Sequence, residues 1–171
     1  MLLTCCLFFG AMFLLHAHSV SGEELSNTTD KDKTFWEYLK GQPTEDQFFL
    51  GMVTWHFTGS SREKDQWNNK LIGFQYKDFF LGTFENSFYN QTVAAGIARN
   101  FSATQLSSNW DMTFGYRLGL VYGYKDGEAP FSSVSPVIPM VEIFNQYYFK
   151  KHFGIELMLT TSISACLFYQ F

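Results

Sequence analysis

Residues 153–171 read FGIELMLTTSISACLFYQF, and apolar side chains occupy almost every odd position of this stretch. The alternation begins at Phe153 and Ile155, resumes at Ile163 and Leu167, and the stretch ends on Phe171. A period of two places alternate residues on one face of a strand. A last strand of this kind that ends on phenylalanine is typical of bacterial outer-membrane barrels. The stretch therefore predicts the two final strands of such a barrel.

The composition of the whole chain favours the same class of protein. Of 171 residues, 19% are aromatic and only 16% are charged, whereas an ordinary soluble domain carries about 25% charged residues. Beyond the N-terminal stretch, no apolar run reaches the roughly 18 residues that a membrane-spanning helix needs. A chain with these properties fits a membrane barrel, in which apolar and polar residues alternate. The net charge of -4 gives no indication of a nucleic-acid partner.

The N-terminal part is predicted to lie outside the barrel. Residues 1–22 are mostly apolar and end in small residues, which predicts a secretory signal peptide. Residues 23–46 form a polar leader followed by a short amphipathic helix at 34–40, where Thr34 and Glu37 have the spacing of a capping box. This helix either lies at the membrane interface or plugs one end of the barrel. Cleavage would leave Cys166 as the single cysteine, so we expect no disulfide, no metal and no cofactor.

Residues 47–171 contain eight stretches with the pattern of strands. They are residues 47–58, 69–76, 79–86, 91–101, 111–124, 135–149, 153–160 and 163–171. Lys77 and Asp78 form the turn between the second and third strands. The fold prediction is therefore all-β, an eight-stranded antiparallel transmembrane barrel, whose interior is just wide enough for side chains or one slim ligand. Pro136 and Pro139 remove hydrogen-bond donors from the sixth strand, which predicts a local gap in its pairing.

The residues expected to face the lumen suggest an apolar interior. In the strand at 111–124, the even positions are apolar or aromatic and are predicted to face outwards, while most odd positions are small. The first strand carries apolar residues at both odd and even positions, which predicts that part of the lumen is apolar. Such a lumen suits an acyl chain better than it suits water. Cys166 is predicted to be a small apolar wall residue.

Five polar residues are predicted to share one rim of this barrel. Odd-numbered strands of an up-and-down barrel run in the same direction, so the ends of the first, third and fifth strands meet opposite the C-terminus. The residues at these ends are His56, Asn86, Ser87, Lys125 and Asp126. A histidine, a hydroxyl and a cation at the mouth of an apolar pocket are components of an acyl-transfer site. The pattern alone equally allows a serine that serves only its turn and a histidine that serves only packing.

Several short segments, taken in order, resemble the lipid A palmitoyltransferase family of PagP-like outer-membrane acyltransferases. The similar segments are residues 34–62, the run Glu63-Lys64-Asp65 before Trp67-Asn68, the triplet Thr54-Trp55-His56, residues 84–87, the pair Lys125-Asp126, the prolines Pro136 and Pro139, and residues 168–171. The resemblance implies an enzyme of the bacterial outer membrane that moves a palmitoyl-like fatty acyl chain from a phospholipid to lipid A. We expect a monomer whose partners are membrane lipids.

The same resemblance implies the site residues. The family uses a histidine, an aspartate and a serine at the outer rim, and His56 and Ser87 match the first and the last. The position of the aspartate holds Asn86, which can orient a hydrogen bond but cannot carry the charge of a base. Either Glu85 or Asp126 supplies the missing carboxylate, or the chemistry is weakened or lost.

The resemblance also implies a depth for the acyl pocket. In the family, a glycine on the fourth strand sets how far the acyl chain reaches. Counting from Ser87, that position is Ala98, and the count passes through Gly96, which also matches a family glycine. The extra methyl predicts a chain slightly shorter than palmitoyl, and a shift to longer chains in Ala98→Gly. The alternative is that Ala98 is ordinary barrel wall.

Two other functional classes stay open at this point. The first is a non-catalytic barrel of the outer membrane that binds lipid or serves a structural role. The second is a secreted lipocalin-like carrier, for which the glycosylation triplets at Asn27, Asn90 and Asn100 would fit. An integral barrel requires detergent for extraction, whereas a carrier is soluble.

Overall fold

The computed structural model describes Glu37 and residues 40–56 and 67–171, which form an all-β closed barrel. Eight antiparallel strands follow one another around the barrel in chain order, and the last pairs with the first. The strands are β1 (Gln47–His56), β2 (Ile72–Tyr76), β3 (Phe79–Glu85), β4 (Gln91–Ser107), β5 (Trp110–Tyr122), β6 (Val137–Phe149), β7 (Phe153–Leu159) and β8 (Ser162–Gln170). This confirms the predicted eight-stranded antiparallel barrel.

The predicted N-terminal elements fall largely outside the described residues. The signal peptide at 1–22 and most of the leader lie there. Of the predicted helix at 34–40, only Glu37 and Lys40 are described, and both are helical. The helix as a whole and its two possible roles therefore stay predictions. No helix in the described part of the chain is long and apolar enough to cross a membrane.

The hairpins follow the turn chemistry of the sequence. Lys77 and Asp78 join β2 to β3 with φ angles of 45° and 73°, and positive φ at both central residues is the signature of the type I′ hairpin. The predicted turn is confirmed. The prediction for β4 was too short, because its polar end, which has no alternating pattern, continues to pair with β5 as far as Ser107 and Trp110.

A bulge at Gly51 changes the face that β1 presents to the lumen. Gly51 has φ +67°, and the register with β8 shifts between Leu50 and Met52. A bulge inserts one extra residue, so the alternation restarts on the opposite face. The lumen therefore receives Phe49 before the bulge and His56 after it.

This bulge also decides which side chains of β1 line the lumen. The large apolar side chains of β1 that lie outside the barrel are Phe48, Leu50, Val53 and Trp55, each at least 40% exposed. Three of the side chains directed inwards, Gln47, Thr54 and His56, are polar. The prediction that part of the lumen is apolar is confirmed, since Phe49 and Met52 of β1 face inwards. Most apolar side chains of β1 nevertheless lie outside, because apolar residues at odd and at even positions fall on the same face once the bulge has shifted the alternation.

The outer surface carries exposed apolar side chains on all eight strands. On β5, Leu118 and Leu120 are 41% and 57% exposed, while Arg117 and Val121 are buried. The predicted outward face of this strand is thus confirmed with two exceptions: Met112 is only 6% exposed, and Tyr124, beyond the end of β5, packs inwards against the cluster of Phe80 and Val121. On β7 and β8 the odd positions point outwards, as the opening pattern predicted.

The proline-bearing strand leaves a gap in the wall. β6 pairs with β5 along its whole length, but it pairs with β7 only from Ile143 to Phe149. Residues 137–142 of β6 have no ladder partner on the β7 side among the described residues. Pro139 lies inside this unpaired stretch, where the missing N–H costs no ladder hydrogen bond. The predicted gap is therefore confirmed and lies between β6 and β7.

Candidate active site

The rim opposite the C-terminus brings His56 and Ser87 into direct contact. His56 is the last residue of β1, and Ser87 follows the end of β3. The Nε2 atom of His56 and the Oγ atom of Ser87 lie 2.7 Å apart, which is hydrogen-bond distance. Ser87 is 9% exposed and His56 is half-buried. With the imidazole proton on Nδ1, the hydroxyl donates to Nε2, which is the arrangement of a nucleophile beside its base.

Asn86 shapes the turn that carries Ser87. Its Oδ1 atom accepts hydrogen bonds from the backbone N–H groups of Phe88, at 2.9 Å, and Asn90, at 3.0 Å. Its Nδ2 atom donates to the carbonyl of Gly123 at 3.4 Å. A short side chain that binds the backbone two and four residues ahead fixes a turn. The side chain of Asn86 is therefore committed to holding the backbone around Ser87.

A carboxylate that the sequence analysis did not select holds the other side of this turn. Both oxygens of Glu128 accept from the Nδ2 atom of Asn90, at 2.9 and 3.0 Å, and Oε2 also accepts from the backbone N–H of Lys125 at 2.8 Å. Burial, and then the negative charge of Glu128, raise the pKa of the nearby Tyr124 hydroxyl above its ordinary value. Glu128 thus ties the loop after β5 to the Ser87 turn.

The other predicted rim residues lie farther from the site. Lys125 and Asp126 are exposed, and neither lines the cavity at this rim. Glu85 forms an ion pair with Lys70 at 2.8 Å and is also absent from the cavity wall. Among described residues, the carboxylate that lines the cavity near the mouth is therefore that of Glu128.

Below His56 and Ser87 lies a cavity of about 860 Å³. Much of its wall is apolar, formed by Leu71, Phe80, Phe84, Ala94, Val121, Ile138, Met140 and Met158. The strip along β1 and β8 is polar, where the hydroxyls of Thr54 and Ser164 lie 2.9 Å apart. The cavity also reaches the gap in the wall, because its lining includes Val141 and Ile143 on one side and Leu159 on the other. It is therefore open at the rim and towards the side.

The length of β1 that borders the cavity is close to the hydrocarbon thickness of one membrane leaflet. The ring of Phe49 lies at the bottom, and His56 at the mouth. With the bulge discounted, the strand between them rises about 20 Å, which a tilt of about 40° reduces to about 15 Å along the barrel axis. The hydrocarbon layer of one leaflet is half of the roughly 30 Å core, again about 15 Å. One membrane acyl chain therefore fits the depth of the cavity.

The floor of the cavity is ionic. The Arg117 guanidinium donates to Glu142 at 2.6 Å and to both oxygens of Glu156 at 2.7 Å. It also lies 4.5 Å from the ring centroid of Phe144 and 4.9 Å from that of Phe49. All three charged residues line the cavity. The cavity thus ends on charged groups.

The predicted floor residues lie elsewhere. Ala98 faces inwards and is fully buried, but it pairs with Arg117 and packs in the apolar cluster of Phe49 and Phe144, outside the cavity lining. Gly96 is also outside the lining; a Cβ there would come within 2.8 Å of the Phe80 ring. The large side chain of Arg117, and not Ala98, therefore lies at the bottom of the cavity.

Beneath the floor, a network of amides fills the lumen. Gln146 donates to Glu156 at 2.6 Å and to Gln47 at 2.8 Å, and Gln47 donates to the Tyr148 hydroxyl at 2.8 Å. Cys166, predicted to be an apolar wall residue, is buried with its Sγ atom 3.9 Å from a Glu156 oxygen. Among the described residues, the lower half of the barrel is therefore filled by these amides together with the apolar cluster that contains Phe144 and Phe168.

Sequence reasoning missed the three carboxylates that touch the cavity. Glu142 and Glu156 are charged residues in strands whose outward positions are apolar, so their inward direction was readable from the alternation. The sequence did not show that both side chains contact Arg117, because the three residues lie on three different strands. Glu128 lies in a loop, where the sequence has no periodicity from which the direction of a side chain could be predicted.

Comparison with known proteins adds no family assignment. No protein-family model matches the chain, and no curated protein sequence matches it significantly. The resemblance to lipid A palmitoyltransferases therefore stays a prediction from the sequence.

Proposed function

We propose that this protein is an outer-membrane acyltransferase that moves a fatty acyl chain from a phospholipid to lipid A. One observation carries the proposal: His56 Nε2 and Ser87 Oγ lie 2.7 Å apart at the mouth of a largely apolar cavity of about 860 Å³. The nature of the acceptor comes from the resemblance of the sequence to lipid A palmitoyltransferases. The exposed apolar side chains on all eight strands support a barrel embedded in lipid.

The proposed reaction proceeds in two steps at Ser87. The hydroxyl proton passes to His56 Nε2 as Oγ bonds to the ester carbonyl carbon, and the bond from that carbon to the glycerol oxygen breaks. The imidazolium returns the proton to the leaving lysophospholipid. A hydroxyl of lipid A then attacks the acyl-serine, and its proton passes through His56 back to Ser87. Asn86 and Glu128 hold the Ser87 turn and take no proton.

The gap between β6 and β7 gives the donor a route into the cavity. A phospholipid in the surrounding leaflet has its acyl chains beside the outer wall. The side opening next to Val141 and Leu159 lets one chain enter while its ester group stays near the rim. No ladder hydrogen bond has to break, because residues 137–142 have no strand partner there.

An acyl-transfer assay tests the proposal. Purified barrel in detergent is incubated with a phospholipid labelled in its acyl chains and with unlabelled lipid A. We expect labelled lipid A and an equal amount of lysophospholipid. Label in free fatty acid would indicate a hydrolase, and bound but unchanged phospholipid would indicate a non-catalytic lipid-binding barrel. Either result contradicts the proposal.

Placement in a membrane predicts a depth-dependent cost for charge on the outer face. Leu118 lies on the outward face of β5, so Leu118→Arg is expected to lower the free energy of unfolding by about 2–4 kcal/mol. Tyr122→Arg, at the end of the same strand, is the matched control and is expected to cost no more than about 1 kcal/mol. Unfolding in lipid vesicles measures both. Equal costs at the two positions would contradict the membrane placement.

The turn-forming role of Asn86 predicts a difference between two substitutions. Asn86→Ala removes the acceptor of two backbone N–H groups and is expected to destabilise the barrel by about 1–3 kcal/mol and to reduce transfer. Asn86→Asp keeps the acceptor of both N–H groups and loses only the 3.4 Å donor contact to the Gly123 carbonyl, so it is expected to cost less stability than Asn86→Ala and to retain activity. Thermal unfolding and the transfer assay are measured on both variants. A stable and active Asn86→Ala variant would contradict this role.

A further inference from the structure

The three ionic groups on the cavity floor are unequal. Glu156 is fully buried, and its two oxygens accept from Nη1 and Nη2 of Arg117 at 2.7 Å, a bidentate arrangement in which one carboxylate balances the charge of the guanidinium. Glu142 shares Nη1 at 2.6 Å. One cation thus faces two carboxylates, and Arg117 and Glu156 already form a complete pair. Glu142 is surplus to that pair.

Glu142 is also the carboxylate of this cluster that is accessible from the cavity. Its side chain is 11% exposed, while that of Glu156 is 0% exposed. Its one side-chain hydrogen bond within the described part of the chain joins Oε1 to Arg117. An ionised carboxylate has about four acceptor positions, so most of the capacity of Glu142 is left for something in the cavity.

A second acceptor in the same cavity wall lacks a donor. Asn69 is 2% exposed and lines the cavity. Its Nδ2 atom donates to the Glu85 carbonyl at 2.7 Å, which fixes the orientation of the amide. Its Oδ1 atom has no hydrogen-bond partner among the described residues. A buried acceptor without a donor is costly, so a hydroxyl donor would also be favourable at this point of the wall, which lies beside Glu85 near the rim and not at the floor.

A plain hydrocarbon chain is a poor match for this floor. The methyl end of a chain that fills the cavity would press against Glu142 and strip water from a charged group, which is unfavourable without a compensating hydrogen bond. A hydroxyl at the same place would form a charge-assisted hydrogen bond. A hydroxyl both donates and accepts, so it suits this side chain in either protonation state.

We propose that the cavity floor recognises a hydroxyl group at the far end of an acyl chain, and that Glu142 is the residue that binds it. The preferred ligand is therefore an acyl chain hydroxylated at or near its terminal carbon. The direction of the chain, with its carbonyl at His56 and its far end at the floor, rests on the proposed acyltransferase function. The recognition itself rests on the floor alone.

A binding experiment with paired ligands tests the inference without any transfer reaction. The probes are two fatty acids of equal length, one with a terminal hydroxyl and one without, which displace a fluorescent fatty acid from the purified barrel in detergent. The wild-type protein is expected to bind the hydroxylated acid roughly ten-fold to a hundred-fold more tightly. Equal affinities, or tighter binding of the unmodified acid, would overturn the proposal.

Glu142→Met is expected to reverse the preference. The substitution removes the surplus carboxylate and leaves Arg117 and Glu156 as a balanced bidentate pair, so the barrel should keep its heat-modifiable gel mobility. The unmodified acid should then bind at least as tightly as the hydroxylated one. The control is Asp111→Asn, which removes a carboxylate that does not line the cavity. This variant should keep the wild-type preference. An unchanged preference in Glu142→Met would overturn the role of Glu142.

Two other outcomes of these experiments, a variant that does not fold and a failed transfer assay, also have a defined interpretation. If Glu142→Met fails to fold, Glu142→Gln keeps the shape, loses the charge, and should reduce the preference for the hydroxylated acid several-fold; an unchanged preference would again count against Glu142. If the transfer assay fails while the wild-type protein still prefers the hydroxylated acid, the acyltransferase function is wrong and the floor site stands. The two proposals can therefore fail separately.

Discussion

His56→Ala and Ser87→Ala are each expected to reduce acyl transfer by about ten-thousand-fold or more, because a nucleophile and its base act as a unit. The 2.7 Å contact between the two side chains is the reason to expect similar losses from either change. For the same reason, the double variant should lose hardly more activity than either single variant. The measurement is the initial rate of labelled lipid A formation from labelled phospholipid.

The chain offers a matched control for each of these substitutions. His152 and Ser107 lie at the other end of the barrel, outside the cavity lining. His152→Ala and Ser107→Ala should therefore keep the wild-type rate. All four variants should keep heat-modifiable gel mobility, which separates a chemical defect from a folding defect. A folded His56→Ala or Ser87→Ala variant with more than a tenth of the wild-type rate would exclude that residue from the chemistry.

Arg117→Met is expected to lower the free energy of unfolding by about 3–5 kcal/mol. The guanidinium is 5% exposed and faces Glu142 and Glu156. Its removal would leave two buried carboxylates without a cation, and would also remove its contacts with the Phe49 and Phe144 rings. Denaturant unfolding of the barrel in lipid measures the loss.

The ion pair of Arg99 with Asp78, which lies at the turn between β2 and β3 and is less buried than the Arg117 cluster, provides the control. Arg99 and Asp78 lie 3.0 Å apart with side chains 28% and 22% exposed. Arg99→Met should cost no more than about 1 kcal/mol, because solvent screens such pairs. Replacing Arg117, Glu142 and Glu156 together by apolar residues of similar volume should recover most of the loss. Equal costs for Arg117→Met and Arg99→Met would mean that the buried cluster contributes no more than a surface pair.

Much of the barrel was determined by local sequence. Period-two alternation fixed the outward faces of β5, β7 and β8, since successive side chains of a strand point to opposite sides whatever lies around them. Lys77-Asp78 fixed a hairpin, and the prolines of β6 marked the weak point in the wall. The shared rim of His56 and Ser87 also followed from strand direction alone.

The tertiary structure decided which side chains of the site face the lumen and which side chains they contact. The bulge at Gly51 turns His56 into the lumen, and strict alternation from Phe49 would have placed it outside. The contact of His56 with Ser87, 31 residues later, depends on how the strands are staggered around the closed barrel. The Arg117–Glu142–Glu156 floor, which displaces Ala98 from the predicted role, joins three strands in the same way. Alternation determines whether each side chain points into or out of the barrel. Its position along the barrel axis and its contacts with other strands depend on the register of the closed barrel.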